Sequence, residues 1–320
     1  MTYKKIVAAA ILTSTFGLAG CASDIAPENI ATATEEEQLP INEETASTTE
    51  QVQESDISET FEEMLLAETP PSEVAAYLQQ HLSDISPEDV SVMVQKFEQH
   101  QQTYLPRLEE KFHDSEIQIG IHEQFGFTLP TDEEFEEVEN AEVAALLSEM
   151  KENGYKLEMA EGMYFPIIDY RFYNPFTENA AADTQAYIEL MIAESDQVPA
   201  KDAALVISWE SIVQRAVNQE EFLNGFPQSG FASEVADLYE TYIMFLLYGL
   251  NNTPLFDYDS HTIDSEALAA FSSIVENVED SETMKLLDQY LTIIEVNNNQ
   301  LTDEVEQFRT DYMEALQEER

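Results

Sequence analysis

The side chains able to do chemistry are many in number and narrow in kind. In 320 residues, 65 Asp and Glu stand against 13 Lys and Arg, with five His and a single Cys. Metal chemistry needs His and carboxylates at ligand spacing, and two stretches begin that way. His122-Glu123 opens like a zinc helix, but Gly126 stands where the second His is needed. Asp257-x-Asp259-x-His261 opens like a calcium loop, but Thr262 replaces the turn glycine and Leu268 the bidentate Glu. Nucleophilic catalysis has no Gly-x-Ser-x-Gly, phosphate loop or dinucleotide fingerprint to build on. Two carboxylates at the right separation could cut a glycosidic bond, yet acids are so abundant that spacing singles out no pair. No catalytic residue, metal ligand or cofactor is therefore assigned from the sequence.

Binding chemistry has better candidates. Residues 163–176 read Met-Tyr-Phe-Pro-Ile-Ile-Asp-Tyr-Arg-Phe-Tyr-Asn-Pro-Phe, and within them stand Asp169, Tyr170, Arg171 and Tyr173. Tyr and Arg carry much of the energy at interfaces, and Arg171 is one of few cations in the chain. The competing reading makes this stretch a hairpin packed on helices, its aromatics in the core and Asp169 and Arg171 satisfying polar groups. A second candidate is the polar turn of residues 249–257, where Asn251, Asn252 and Thr253 either cap helix ends or touch a ligand. Arg215, on the segment that begins at Trp209, is placed to pair with either region.

The sole thiol belongs to the amino-terminal segment. Lys4 and Lys5 lead into the apolar run Ile6 to Phe16, which ends in Leu18-Ala19-Gly20-Cys21. A basic start, a short apolar run and small residues before a cleavage point are the parts of an export signal, too short to span a bilayer comfortably. Leu18-Ala19-Gly20-Cys21 resembles a bacterial lipobox. The resemblance implies a diacylglyceryl group on Cys21, cleavage before it, and a chain held on the extracytoplasmic face of a membrane without crossing it. Two acyl chains suffice for stable anchoring, each buried methylene contributing about 0.8 kcal/mol. Residues 22–57 carry ten acids, no Lys or Arg and no aromatic residue, the composition of a disordered tether. As a flexible coil they would reach roughly 30–36 Å on average.

From residue 58 onward, 11 basic and 55 acidic residues give a formal net charge of −44. Nucleic acid is excluded as a partner, because counterion release requires Lys and Arg. Three accounts of the acidity compete: adaptation to salt, collection of divalent cations, and steering of a basic partner. Spread along every segment, the acids favour the first.

The segments that must position these residues are mainly helical. Pro70-Pro71-Ser72 opens one with Val74, Leu78 and Leu82 on a face; Ser86-Pro87-Glu88-Asp89 opens the next, and Pro106 is expected to kink or end it. Ser115 to Phe125 is ambiguous, since Ile117, Ile119 and Ile121 alternate like a strand. Its Gly120-Ile121-His122 resembles the opening of the Gly-x-His-x-x-Glu signature of imelysin-like helical proteins, but Phe125 occupies the Glu position and the family is not carried over. A helix from Ala141 stops at Gly154, and the spacing from Tyr155 to Tyr170 predicts a β-hairpin turning at Glu161-Gly162. Beyond it, amphipathic helices are predicted from Asp183, through Leu205 and Trp209 to Ala216, from Ser233 to Gly249, and over 265–277, 281–296 and 302–318. Short loops between them imply antiparallel neighbours.

The expected fold is thus mainly α, a bundle-like domain over 58–320 with one small hairpin near 155–170, or else subdomains over 58–130 and 139–320. The combination of lipobox, Glu/Thr/Ser-rich tether and helical domain resembles many Gram-positive surface lipoproteins. That resemblance implies binding or scaffolding at the cell surface, with an extracytoplasmic protein as partner. A wall-directed hydrolase using a carboxylate pair is the alternative, and solute or divalent-cation binding the third.

Overall fold

The computed structural model describes residues 43–275 and 281–318. Cys21 and residues 22–42 of the expected tether lie outside them. Among the described residues, helices alternate with short connections and three two-stranded antiparallel ladders, so the mainly α expectation holds. The first half runs α1 (Glu43–Leu66), α2 (Pro71–His81), α3 (Pro87–Phe112), α4 (Ser115–Phe125), α5 (Asp132–Glu136) and α6 (Ala141–Glu152). The hairpin β1 (Tyr155–Ala160) and β2 (Met163–Ile168) follows, then a 3-10 turn over Tyr170–Tyr173, α7 (Asn174–Thr177) and α8 (Ala182–Asp196). The second half has the ladder β3 (Ala200–Lys201) with β4 (Ala204–Leu205), then α9 (Trp209–Gly225), α10 (Ala232–Tyr248) and the ladder β5 (Gly249–Leu250) with β6 (Thr253–Pro254). Helices α11 (Ser265–Val275), α12 (Glu282–Val296) and α13 (Asp303–Glu318) complete it.

Helix starts follow local chemistry. The side chains of Ser86, Asp114, Asn140, Ser208 and Ser281 accept from backbone N–H groups of the first turns of α3, α4, α6, α9 and α12. Several expectations are corrected. Residues 43–57, read as tether, are helical, because Ile57 and Phe61 further along α1 are buried and dock the helix end. Ser115–Phe125 is a helix: Ile117 and Ile121 share its buried face while Ile119 is exposed. Helix α3 continues through Pro106, where both Pro106 and Gln102, whose carbonyl loses its donor, are exposed to water. Leu205 lies in β4, ahead of α9, and Asp183 sits inside the first turn of α8 instead of capping it.

Two buried clusters form the core. The first gathers side chains from Ile57 to Val235, including Phe97, Tyr155, Tyr173 and Tyr187; the second gathers Ile207 to Val305, including Tyr242, Phe271 and Tyr290. Helices α9 and α10 serve both, giving Phe222 and Val235 to the first and Ile212, Tyr239 and Tyr242 to the second. The division considered near residues 130–139 does not separate the core: Ile121 and Phe125 before it share the first cluster with Val143 and Leu147 after it.

Candidate functional site

The hairpin and the turn after it build the site. Helix α6 stops at Gly154, whose φ of 80° lies in the left-handed region; a Cβ there would come within 2.5 Å of Gln101 and 2.6 Å of Phe172. That stop turns the chain sharply into β1 and leaves Lys151 and Lys156 on either side of it. The hairpin closes through Glu161 and Gly162, both at positive φ, as a two-residue turn matched to strand twist requires. After β2 the Asp169 N–H donates to the Gly154 carbonyl, and the Asp169 Oδ1 accepts from the Arg171 N–H at 3.1 Å. The 3-10 turn is thereby pinned to the end of α6.

Asp169 and Arg171 reach a cleft of about 360 Å³ that Phe135, Lys151, Lys156 and Asp196 also line. Arg171 Nε donates to both Asp196 oxygens, at 2.9 and 2.8 Å, and Lys156 Nζ lies 3.0 Å from Asp196 and 3.8 Å from Asp169. The Arg171 hydrogen bonds, with Lys156 assisting, hold the Asp196 carboxyl below its ordinary value, although Asp196 ends α8, where the helix dipole disfavours a negative charge. Lys151 differs from the rest. Its ammonium stands 5.5 Å from the centre of the Phe135 ring, and it is the one described Lys or Arg with no carboxylate within 4.0 Å.

The neighbouring residues of the same turn point into the core. Tyr170 is 6% exposed and donates to Glu98, which also accepts from Tyr187 at 2.7 Å; Tyr173 is fully buried and donates to Gln101. Burial raises the Glu98 carboxyl above its ordinary value, and raises both tyrosines as well. Arg215 joins neither binding candidate. It donates to Glu194 at 3.2 Å, to the Tyr242 hydroxyl at 3.0 Å and to the Gln197 carbonyl at 2.9 Å, knotting α8, α9 and α10 together.

Asn251 and Asn252 form the β5–β6 turn and cap no helix. The Asn252 N–H donates to the Ala203 carbonyl at 2.8 Å and its side chain to the Asp202 carbonyl, fastening this turn to the β3–β4 turn, while Thr253 accepts from the Leu205 N–H. Asn251 borders a second cavity, about 550 Å³ and mostly apolar, where the Arg309 guanidinium stacks 4.3 Å from the Tyr248 ring and 5.8 Å from Phe256. Among the other residues weighed for chemistry, Asp257 spends its Oδ1 on Asp259 and Ser260, and both ring nitrogens of His122 face backbone carbonyls, of Gly126 and Gly162. No cluster of three or more metal-ligating side chains occurs among the described residues.

Sequence reading thus found Asp169 and Arg171 but missed Lys151, Lys156, Asp196 and Phe135. The scarcity of cations was the available signal: Lys151 and Lys156 flank the Gly154 stop, five residues apart, in a chain with so few. Comparison with family models, with curated proteins and with solved structures returned no match.

Proposed function

We propose that this chain is a lipid-anchored extracytoplasmic binding protein, tethered to the cell membrane through diacylglyceryl-Cys21 and presenting its acidic helical domain to small ligands or a protein partner. The observation that carries the anchor is the order Lys4-Lys5, apolar run, Leu18-Ala19-Gly20-Cys21. No helix of the described residues is long and apolar enough to cross a membrane. The binding role is supported by the cleft beside the hairpin, where Lys151, Lys156 and Arg171 converge in a domain of net charge −44.

A carboxylate-pair hydrolase would need an acid kept protonated beside its substrate. The described carboxyls raised by burial, Glu98 and Glu194, are closed in by tyrosine hydroxyls and Arg215, and Asp196 in the cleft is held ionised. No observation favours that reading. The anchor is tested by metabolic labelling with an alkyne fatty acid, followed by membrane fractionation. The expected result is label on the wild-type chain in the membrane fraction, with Cys21→Ala unlabelled and released. Membrane retention of an unlabelled Cys21→Ala chain would contradict it.

A further inference from the structure

We infer that the hairpin cleft takes a small zwitterion of the amino-acid or short-peptide class bearing an apolar side chain, with its carboxylate on Lys151 and Arg171 and its ammonium on Asp169. The inference rests on the binding reading above and names its ligand.

Composition makes the cleft unusual. Acids outnumber bases five to one from residue 58 onward, yet three cations and two acids line this cavity. Internal pairing does not use them all. Lys156 is committed between Asp196 and Asp169, and Arg171 gives its Nε and Nη2 to Asp196. That leaves Arg171 Nη1 without a hydrogen-bond partner among the described residues, on a side chain 65% exposed, together with the Lys151 ammonium above Phe135. A carboxylate is the ligand group that two such donors recognise. On the acidic side, Asp169 uses Oδ1 on the Arg171 backbone and has Oδ2 to spare, which suits an ammonium.

Size and field narrow the class further. A cavity of about 360 Å³ lies at the small end of ligand sites, which run from about 300 to 1,000 Å³. Leu129, Phe135 and Leu157 supply an apolar wall for a side chain. A polyanion would meet the repulsion of a domain at −44, whereas a molecule of zero net charge approaches without that penalty and still satisfies both signs inside. Phosphate-rich ligands and anionic wall polymers are selected against on the same ground.

The test is calorimetric titration of the full chain with leucylphenylalanine, its C-terminal amide, its N-acetyl form and inorganic phosphate. Saturable binding is expected for the dipeptide, at least tenfold weaker for the amide and for the N-acetyl form, with phosphate weakest. Lys151→Gln should lose about tenfold for the dipeptide and nothing further for the amide. Asp169→Asn, whose amide oxygen can still accept from Arg171, should lose affinity for the dipeptide but none for the N-acetyl form. The ligand series needs no variant, so it stands even if a variant unfolds. No binding of the dipeptide, equal binding of its amide, or tighter binding of phosphate would overturn the assignment. Each of these leaves the Cys21 labelling result untouched, so the anchored reading and the ligand assignment fail separately.

Discussion

Arg171 and Tyr170 are adjacent in one 3-10 turn, and each ends on a carboxylate, yet the two carboxylates live in opposite surroundings. Arg171 reaches outward to Asp196 at the mouth of a solvated cleft, where two cations favour the ionised form. Tyr170 reaches inward to Glu98, which is 5% exposed and meets two phenol hydroxyls with no cation beside it. One turn therefore serves two purposes. Its inner side closes an aromatic and polar core; its outer side keeps charges that the fold does not consume. Burial decides which side is which, because a buried polar group must find a partner within the protein and an exposed one need not.

The comparison breaks first, and most visibly, at Glu98. Glu98→Ala strands the Tyr170 and Tyr187 hydroxyls in the core and opens a small cavity, a loss of about 4 kcal/mol, read as a lower midpoint in urea denaturation. Tyr170→Phe removes one of the two donors and leaves the ring packed, so about 1.5 kcal/mol is expected by the same measurement.

Acid and base should act on the two sides with opposite sign. The folded-state value of Glu98 is raised above the roughly 4.3 of an unfolded Glu, so its stabilisation is full below that pH and is lost as pH rises through the folded value. Asp196 is depressed below the roughly 3.9 of an unfolded Asp, so its stabilisation is present above that pH and lost as pH falls through the folded value. Stability measured as wild type minus Glu98→Gln should therefore decline with rising pH above about 4, and wild type minus Asp196→Asn should vanish in acid. Neither slope should exceed about 1.4 kcal/mol per pH unit, and taking differences removes the general relief of acidic self-repulsion. At neutral pH Asp196→Asn should cost at most about 1 kcal/mol, since solvent screens the pair with the exposed Arg171. A larger loss would move the outer side of the turn into the structural half of the comparison.

Much of the frame was legible from local chemistry. Ser86-Pro87 announces a helix start, Gly154 a stop, and the alternation after Tyr155 a hairpin, because caps and periodicity act over a few residues. What failed was decided at longer range. The Ile117, Ile119 and Ile121 alternation looks like a strand until Val143 and Leu147 of a neighbouring helix share a cluster with Ile117 and Ile121 while Ile119 is left outside. Pro106 looks like the end of a helix until it and Gln102, whose carbonyl loses its donor, are both seen to face water. For the site, composition marked residues 163–176, but the assignment of Tyr170 and Tyr173 to the core and of Arg171 to the cleft depends on α3 lying beneath the hairpin. Asp196 joins the cleft from 25 residues further along the chain, a distance at which spacing carries no information.

The division of one turn between folding and binding is tested most directly by measuring two variants, Lys151→Gln and Tyr170→Phe, for both urea midpoint and leucylphenylalanine affinity. Lys151→Gln should weaken the dipeptide about tenfold with an unchanged midpoint, and Tyr170→Phe should lower the midpoint with affinity unchanged within about twofold. If both variants shift both quantities together, the inner and outer sides of the turn are one unit and the division is contradicted.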